Sequence, residues 1–158
     1  RRPPRSTPSN SSAASDVYKR QENICKVFKS DVTVKQALEM AHHADYLMVE
    51  IGVAGEKSTL VKLRYLNPSE VEALRRQGAV GDILAQFFNI KGEKINCELH
   101  KRIVAFPIED LKDMDNVIGL AGGKYKVEAI FAAIKGGYVK ILITDEESAK
   151  ALLKKEDG

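Results

Sequence analysis

The spacing of apolar residues predicts an alternation of helices and strands along most of the chain. From Val32 onwards, apolar side chains recur three and four positions apart, which predicts an amphipathic helix with Asp31 or Thr33 as its N-cap. The run YLMVEI at residues 46–51 is short, mostly apolar and followed by Gly52. Such a run is typical of a buried strand that leads into a loop.

A second helix is predicted after a loop that extends to about Leu66. Asn67 is a preferred N-cap, Pro68 suits the first helical position, Glu70 is the acid expected three residues after the cap, and Gly78 ends the helix. Residues 83–98 are predicted to form a hairpin, because the tetrapeptide NIKG at 89–92 separates two arms with apolar residues and its glycine tolerates a positive φ.

The last 57 residues contain two strand-to-helix units. Residues 116–121 are a predicted strand before a helix at 124–134, and residues 139–143 a strand before a helix at 145–154. Residues 102–106 are a third candidate strand, followed by a short helix that begins at Pro107. This alternation predicts an α/β fold with parallel strands and right-handed crossovers. Ligands of such sheets lie at the carboxyl ends of the strands, which points to the loops at Gly52, Gly122 and Thr144.

Residues 1–21 differ in composition from the rest. They are rich in Pro, Ser and Arg and poor in large apolar side chains, so we expect them to be disordered. The ending SSAASDVYKRQ resembles translated sequencing-adapter sequence, and we therefore interpret residues 1–21 as a non-native tail and residues 22–158 as the domain, incomplete at its N-terminus.

The distribution of charge argues against direct DNA binding. The whole chain has a formal net charge of +3, but residues 1–21 hold five of its 25 basic residues and one of its 22 acidic residues. Residues 22–158 therefore carry 20 basic and 21 acidic groups, a net charge of −1, whereas a surface that contacts DNA phosphates needs clustered positive charge.

The cysteines and the apolar content predict where the protein acts. Cys25 and Cys97 are far apart and have no partner at metal-ligand spacing, so we expect free structural thiols in a reducing compartment. No apolar stretch approaches the roughly 20 residues that span a bilayer, and residues before 21 lack the apolar run of a signal peptide. We expect a cytoplasmic protein that does not contact membranes.

Two turns contain candidate binding residues. Gly122, Gly123 and Lys126 lie where a strand meets a helix, and free amides, the helix dipole and a lysine favour an anion there, although a simple tight turn explains the same residues. Gly81 and Asp82 place a carboxylate after a flexible turn, where it can accept hydrogen bonds from sugar hydroxyls; a helix cap is the alternative interpretation.

Other reactive side chains give no comparable signal. His42 and His43 are adjacent, so they point to different sides of a helix, and His100 lies apart from both. We expect no metal, no cofactor and no catalytic residue.

Three segments together resemble a known family. GAVGDILAQFFNIKGE, RIVAFPIEDL and VIGLAGGKYKVEAIFAAIKGGYVKILITDEESAKALL are similar, in order and spacing, to the C-terminal part of the SorC/DeoR sugar-binding effector domain. The resemblance covers roughly residues 45–153. It implies a Rossmann-like parallel sheet with flanking helices, related to ribose-5-phosphate isomerase and glucosamine-6-phosphate deaminase.

The resemblance also implies a function. Members of this family bind phosphorylated sugars, which change oligomeric state or DNA affinity, and they contact DNA through an N-terminal helix-turn-helix that this chain lacks. The family's glycine-glycine-lysine motif falls on Gly122, Gly123 and Lys126, and its glycine-acid turn on Gly81 and Asp82. Its glycine-containing loop after a strand falls on Gly52, although Ala54 replaces a usual glycine.

Three functions remain open at this point. The first is an effector-binding domain that forms a homo-oligomer and binds a phosphorylated sugar. The second is a sugar-phosphate isomerase or deaminase of related fold, for which Asp82 is the one candidate acid or base near the predicted pocket. The third is an oligomerisation module that binds no ligand.

Overall fold

The structure is a computed structural model that describes residues 21–156, apart from the side chain at 156. The predicted disordered tail lies outside this range except for Gln21, which is helical. The helices are α1 (21–30), α2 (Val32–His42), α3 (Thr59–Lys62), α4 (Pro68–Arg76), α5 (Val127–Lys135) and α6 (Glu146–Glu156). The strands are β1 (Leu47–Val53), β2 (Ala79–Ile83), β3 (Gln86–Asn89), β4 (Val117–Leu120) and β5 (Ile141–Ile143). Three short 3-10 turns lie at Glu98–Arg102, Ile108–Asp113 and Lys124–Lys126.

The five strands form one mixed sheet in the order β3-β2-β1-β4-β5. β1, β4 and β5 are parallel, whereas β2 and β3 are an antiparallel hairpin attached to the other side of β1. The predicted parallel α/β layer is therefore confirmed for its central part. Its carboxyl ends bring the loops after β1, β4 and β5 to one edge of the sheet.

One face of the sheet is covered. Val49, Ile51 and Val53 alternate along β1 and are buried, and α5 packs against them through Ala129 and Ile130. This alternation follows from the two-residue period of a strand. A second, smaller core joins α4 to the hairpin through residues that include Val71, Leu74 and Phe87.

The opposite face of the parallel strands is largely uncovered within residues 21–156. Its side chains lie in two rows that cross three strands, because the ladder aligns Met48 with Ile118 and Ile141, and Glu50 with Leu120 and Ile143. Met48 is 61% exposed, Ile141 43% and Ile143 53%. We call these six residues the open face.

Several local predictions are confirmed. Asp31 caps α2 by accepting the amides of Thr33 and Val34. Asn67 and Glu70 form a reciprocal capping box at α4, with Pro68 in the first turn. Gly78 follows the C-cap of α4, as predicted, and Gly92 adopts the predicted positive φ, at 76°.

Two predictions are wrong in part. Residues 102–106 form no strand, because the segment meets the side chain of Gln86 instead of a neighbouring backbone: Gln86 Nε2 donates to the Phe106 carbonyl at 2.8 Å. The main hairpin connects β2 to β3 through Leu84 and Ala85, both at positive φ, whereas the predicted turn at 89–92 follows β3 and leads only to an isolated bridge between Phe88 and Lys94.

Candidate functional site

The predicted binding residues converge where β1 ends. Gly52 lies in β1, and the antiparallel ladder pairs it with Asp82 and pairs Val53 with Gly81. Gly122 and Gly123 follow β4, the parallel neighbour of β1, and Lys126 reaches from this turn to the backbone of Ile51. The fold therefore assembles residues that are up to 74 positions apart in the sequence.

Gly52 makes room for the carboxylate of Asp82. A Cβ atom at position 52 would collide with the carboxyl group, whose carbon would lie 2.9 Å away. Asp82 is only 8% exposed although it is charged in its ordinary state. The space beside Gly52, which we predicted for a ligand, is thus occupied by the carboxylate of Asp82.

The burial of Asp82 changes its acidity. The pKa of this carboxyl is raised to about 6, chiefly by desolvation and in smaller part by the negative charge of Glu50, while a hydrogen bond from the Ala85 backbone and the charge of Lys126 oppose the increase. At neutral pH Asp82 is therefore mostly ionised, with a minor protonated fraction. Such a group can accept or donate a hydrogen bond to a hydroxyl.

Lys126 is the cation of the site. Its side chain is 12% exposed, and its ammonium nitrogen donates to Glu50 Oε1 at 3.0 Å and to the Ile51 carbonyl at 2.9 Å. An ammonium has three N–H donors, so one remains for a further acceptor.

The backbone amide at the Gly122-Gly123 turn could bind an anion, but in the structure it binds the carboxylate of Asp145 from the same chain. Gly123 has a φ of 98°, and its amide donates to Asp145 Oδ2 at 2.5 Å and to Ser148 Oγ at 3.0 Å. A Cβ atom at Gly122 would lie 2.8 Å from the same Asp145 oxygen. The hydrogen bonds from Ser148 and Gly123 lower the pKa of Asp145 to about 2, so this carboxylate is ionised across the physiological range.

Gly81 has a packing reason to be a glycine. A Cβ atom there would lie 2.6 Å from the Cβ of Ala129 and 2.9 Å from the carbonyl oxygen of Gly52. The close contact between β2 and α5 accounts for this residue without a ligand.

A cleft of about 480 Å³ is lined by Val53, Val80 and Tyr125, which are sequence neighbours of Gly52, Gly81 and Lys126, but by none of the six predicted binding residues. Its walls include the loop after β1 and the start of α5, where Lys57 lies over the ring of Tyr125 with its nitrogen 4.6 Å from the ring centre. Arg75 of α4 also lines the cleft. It offers space for a small molecule beside the predicted residues.

Sequence reasoning missed both Glu50 and the contact that Asp145 makes with Gly123. A charged residue inside the apolar run YLMVEI was the available signal for Glu50. The contact between Asp145 and Gly123 joins residues 22 positions apart and had no signal in the local pattern.

Comparison with known proteins identifies the fold and the family. Residues 10–154 match the family described as "Putative sugar-binding domain". The chain belongs to this family. It also resembles transcriptional regulators of the SorC/DeoR type, as the sequence motifs predicted.

Individual relatives give the same result. Transcriptional regulator LsrR of Escherichia coli (strain K12) is 38% identical over 135 residues, which are 84% of this chain and 43% of that protein. LsrR of Enterobacter sp. (strain 638) is 32% identical over 133 residues, 82% of this chain and 41% of that protein. The chain thus spans about two fifths of the curated relatives it matches.

Solved structures share the sheet and its helices. A DeoR family transcriptional regulator from Listeria monocytogenes superposes with a TM-score of 0.79 at 25% identity, over 83% of this chain and 53% of that one. The full-length sorbitol operon regulator SorC from Klebsiella pneumoniae, at 24% identity and a TM-score of 0.76, shares the fold over 84% of this chain and 43% of its own.

Within residues 21–156, no helix is long and apolar enough to cross a membrane. In the same residues, no group of three or more His, Cys, Asp or Glu side chains is arranged to hold a metal ion.

Proposed function

We propose that this sugar-binding domain recognises a phosphorylated sugar and serves as the effector-binding part of a transcriptional regulator. The observation that carries the proposal is that a buried carboxyl, Asp82, and a nearly buried ammonium, Lys126, both lie at the carboxyl end of β1, where the charge of Lys126 acts on the Asp82 carboxyl and its ammonium is held by Glu50 and the Ile51 carbonyl. Parallel α/β sheets bind their ligands at this edge. Membership of the sugar-binding family supports the ligand class.

Each predicted residue has a part in the proposed complex. Asp82 orients sugar hydroxyls. Because its pKa lies at about 6, its ionised form can accept a hydrogen bond from a hydroxyl and its protonated form can donate one. Lys126 directs its remaining N–H to the phosphate. Gly52 makes room for the Asp82 carboxylate and Gly81 for the contact between β2 and α5, so both glycines shape the site through the packing of the protein itself, and the backbone at Gly122 and Gly123 bounds the site on the β4 side.

The remaining parts of the proposal concern the longer protein. DNA is bound by a helix-turn-helix outside this chain, which agrees with the net charge of −1 for residues 22–158. The regulator acts in the cytoplasm and forms a homo-oligomer, and it is not an enzyme. Its free cysteines, Cys25 and Cys97, are compatible with a reducing compartment.

One observation favours a second function. A buried carboxyl with a pKa of about 6 is suited to general acid-base catalysis, as a sugar-phosphate isomerase would require. A turnover assay with a panel of aldose and ketose phosphates separates the two, because a sensor releases its ligand unchanged.

The test of the main proposal compares two substitutions in the regulator that contains this domain. Lys126→Ala should weaken a phosphorylated sugar roughly 10- to 100-fold, the effect of losing one charge-assisted hydrogen bond, and should change binding of the matching free sugar little. Asp82→Asn should weaken both sugars, because it changes contacts to hydroxyls. Isothermal titration with matched sugar pairs measures all four affinities.

Two results would contradict the proposal. Equal losses for both sugars in Lys126→Ala would show that the phosphate lies elsewhere. Binding that is unchanged in both variants would exclude this edge of the sheet as the effector site.

A further inference from the structure

The Lys126 ammonium already has an anionic partner. Glu50 Oε1 lies 3.0 Å from its nitrogen, and the Ile51 carbonyl fixes the same nitrogen at 2.9 Å. The carbonyl belongs to the backbone of β1 and cannot leave. The carboxylate is held by a side chain, so it is the contact that an incoming anion can replace.

Glu50 is free to move aside. Its side chain is 59% exposed and belongs to the open face, whereas the side chain of Lys126 is 12% exposed. A glutamate with most of its surface in solvent loses little by rotating away from its partner. Lys126 would then keep its position through the Ile51 carbonyl.

The negative charge around Lys126 makes its contact with Glu50 an obstacle to the binding of an anion. Asp82 and Glu50 are two carboxyls beside one ammonium, and their mutual repulsion is part of what raises the pKa of Asp82. A phosphate that approaches Lys126 is therefore repelled by Glu50 until Glu50 withdraws, whereas an uncharged hydroxyl meets no such repulsion.

We propose that Glu50 competes with the phosphate group of the effector for Lys126 and so sets the preference of the site between phosphorylated and uncharged ligands. This inference rests on the proposed function, in which Lys126 contacts phosphate. Glu50 is a specificity-determining residue in this scheme.

The experiment measures access to Lys126 in the full 158-residue chain. Lysines are acetylated with a limiting amount of acetic anhydride in increasing inorganic phosphate, with chloride added to keep the ionic strength constant. Mass spectrometry then gives the phosphate concentration that halves acetylation of Lys126. Glu50→Gln should lower this concentration roughly tenfold, because a like charge beside the anion is removed.

The matched control is Glu147→Gln. Glu147 is an exposed carboxylate 3.5 Å from Lys124, two residues before Lys126, so the variant removes the same charge from a surface pair. The phosphate concentration that halves acetylation of Lys126 should be the same in this variant as in the chain without substitutions. Glu50→Ala, checked for its fold by circular dichroism, should reproduce Glu50→Gln.

The outcomes distinguish competition by Glu50 from the contact of Lys126 with phosphate. If phosphate protects Lys126 equally in the unmodified chain and in both Glu50 variants, Glu50 does not compete and the inference is overturned, while the contact of Lys126 with phosphate stands. If phosphate protects Lys126 in none of the proteins, the assignment of Lys126 to the phosphate in the proposed function is overturned as well.

Discussion

At the scale of single residues, the site holds a carboxyl group that costs stability. Asp82 is buried and its pKa lies near 6, above the ordinary value of 3.8. A raised carboxyl pKa means that the folded state binds the proton more tightly than the unfolded state. Proton binding to Asp82 therefore stabilises the folded state. This stabilisation is fully present below pH 3.8 and is lost as the pH rises through about 6, where the buried carboxyl ionises.

We therefore expect Asp82→Asn to raise the free energy of unfolding at pH 7.5. The shift of the Asp82 pKa from 3.8 to about 6 corresponds to a cost of up to about 3 kcal/mol, which the amide avoids. The difference between the variant and the unmodified chain should shrink as the pH falls towards 4. Urea unfolding at several pH values measures it.

Asp113→Asn is the control for this experiment, since Asp113 is exposed on a 3-10 turn. It should change the free energy of unfolding little at either pH. A lower stability of Asp82→Asn at pH 7.5 would mean that the ionised carboxylate is stabilised by its surroundings and that burial is not the dominant cause.

The residues of the site were predictable to different degrees. Asp82 and Lys126 stand in motifs beside glycines, so the sequence pattern was sufficient to propose both as ligand contacts. Glu50 was missed because its role depends on the pairing of β1 with its neighbours and on a lysine 76 positions away, which no local period contains. Residue types show which chemistry is available, whereas the fold decides which groups meet.

At the scale of secondary structure elements, the turn after β3 is fastened to the end of α5. Gly92 and Gly136 touch through their backbones, and a Cβ atom on Gly92 would collide with Gly136 and lie 2.6 Å from the Ala132 carbonyl oxygen. Gly92 also has a φ of 76°. This contact joins the hairpin to the helix that begins at the candidate site.

Gly92→Ala should lower the free energy of unfolding by more than Gly137→Ala does. Both glycines have nearly the same positive φ, 76° and 75°, so both variants incur about 1 kcal/mol of backbone strain. A Cβ atom at Gly137 meets nothing within 4 Å, whereas one at Gly92 must displace α5 at a further cost of about 1–3 kcal/mol. Urea unfolding of the two variants gives the difference, and equal losses would show that the turn moves without strain.

Elements with a local cause were the predictable ones. The capping box of α4 depends on four consecutive residues, 67–70, and the structure contains it as predicted. The β2–β3 connection was misplaced, because Leu84 and Ala85 adopt positive φ without glycine or asparagine. Strand pairing on both sides imposes that turn, and pairing is not visible in the local composition.

At the scale of the whole molecule, the main feature is the open face. Parallel strands normally have both faces covered, yet Met48, Ile141 and Ile143 are strongly exposed among residues 21–156. The relatives are more than twice as long as the matched region. The sheet order, with a hairpin added antiparallel to β1, could not be predicted from the alternating pattern, because that pattern does not encode which strands are neighbours.

At protein concentrations well above those of the acetylation experiment, we expect the isolated chain to self-associate through the apolar residues of the open face. The double substitution Ile141→Thr with Ile143→Thr keeps β-branched residues in β5 but removes exposed apolar surface, so it should lower the average mass in a concentration series measured by light scattering. Tyr65→Thr, at a residue 74% exposed and outside the sheet, is the control and should leave the association unchanged. An identical association in the double variant would place the contact on another surface.

The internal carboxylate at the Gly123 turn links two elements that are distant in the sequence. Asp145 accepts hydrogen bonds from the Gly123 amide after β4 and from the Ser148 amide and hydroxyl in α6, so one ionised side chain connects the end of β4 to the start of the last helix. A foreign anion at this turn would have to displace a carboxylate that the fold itself uses. The same charge that positions α6 therefore repels other anions from the turn.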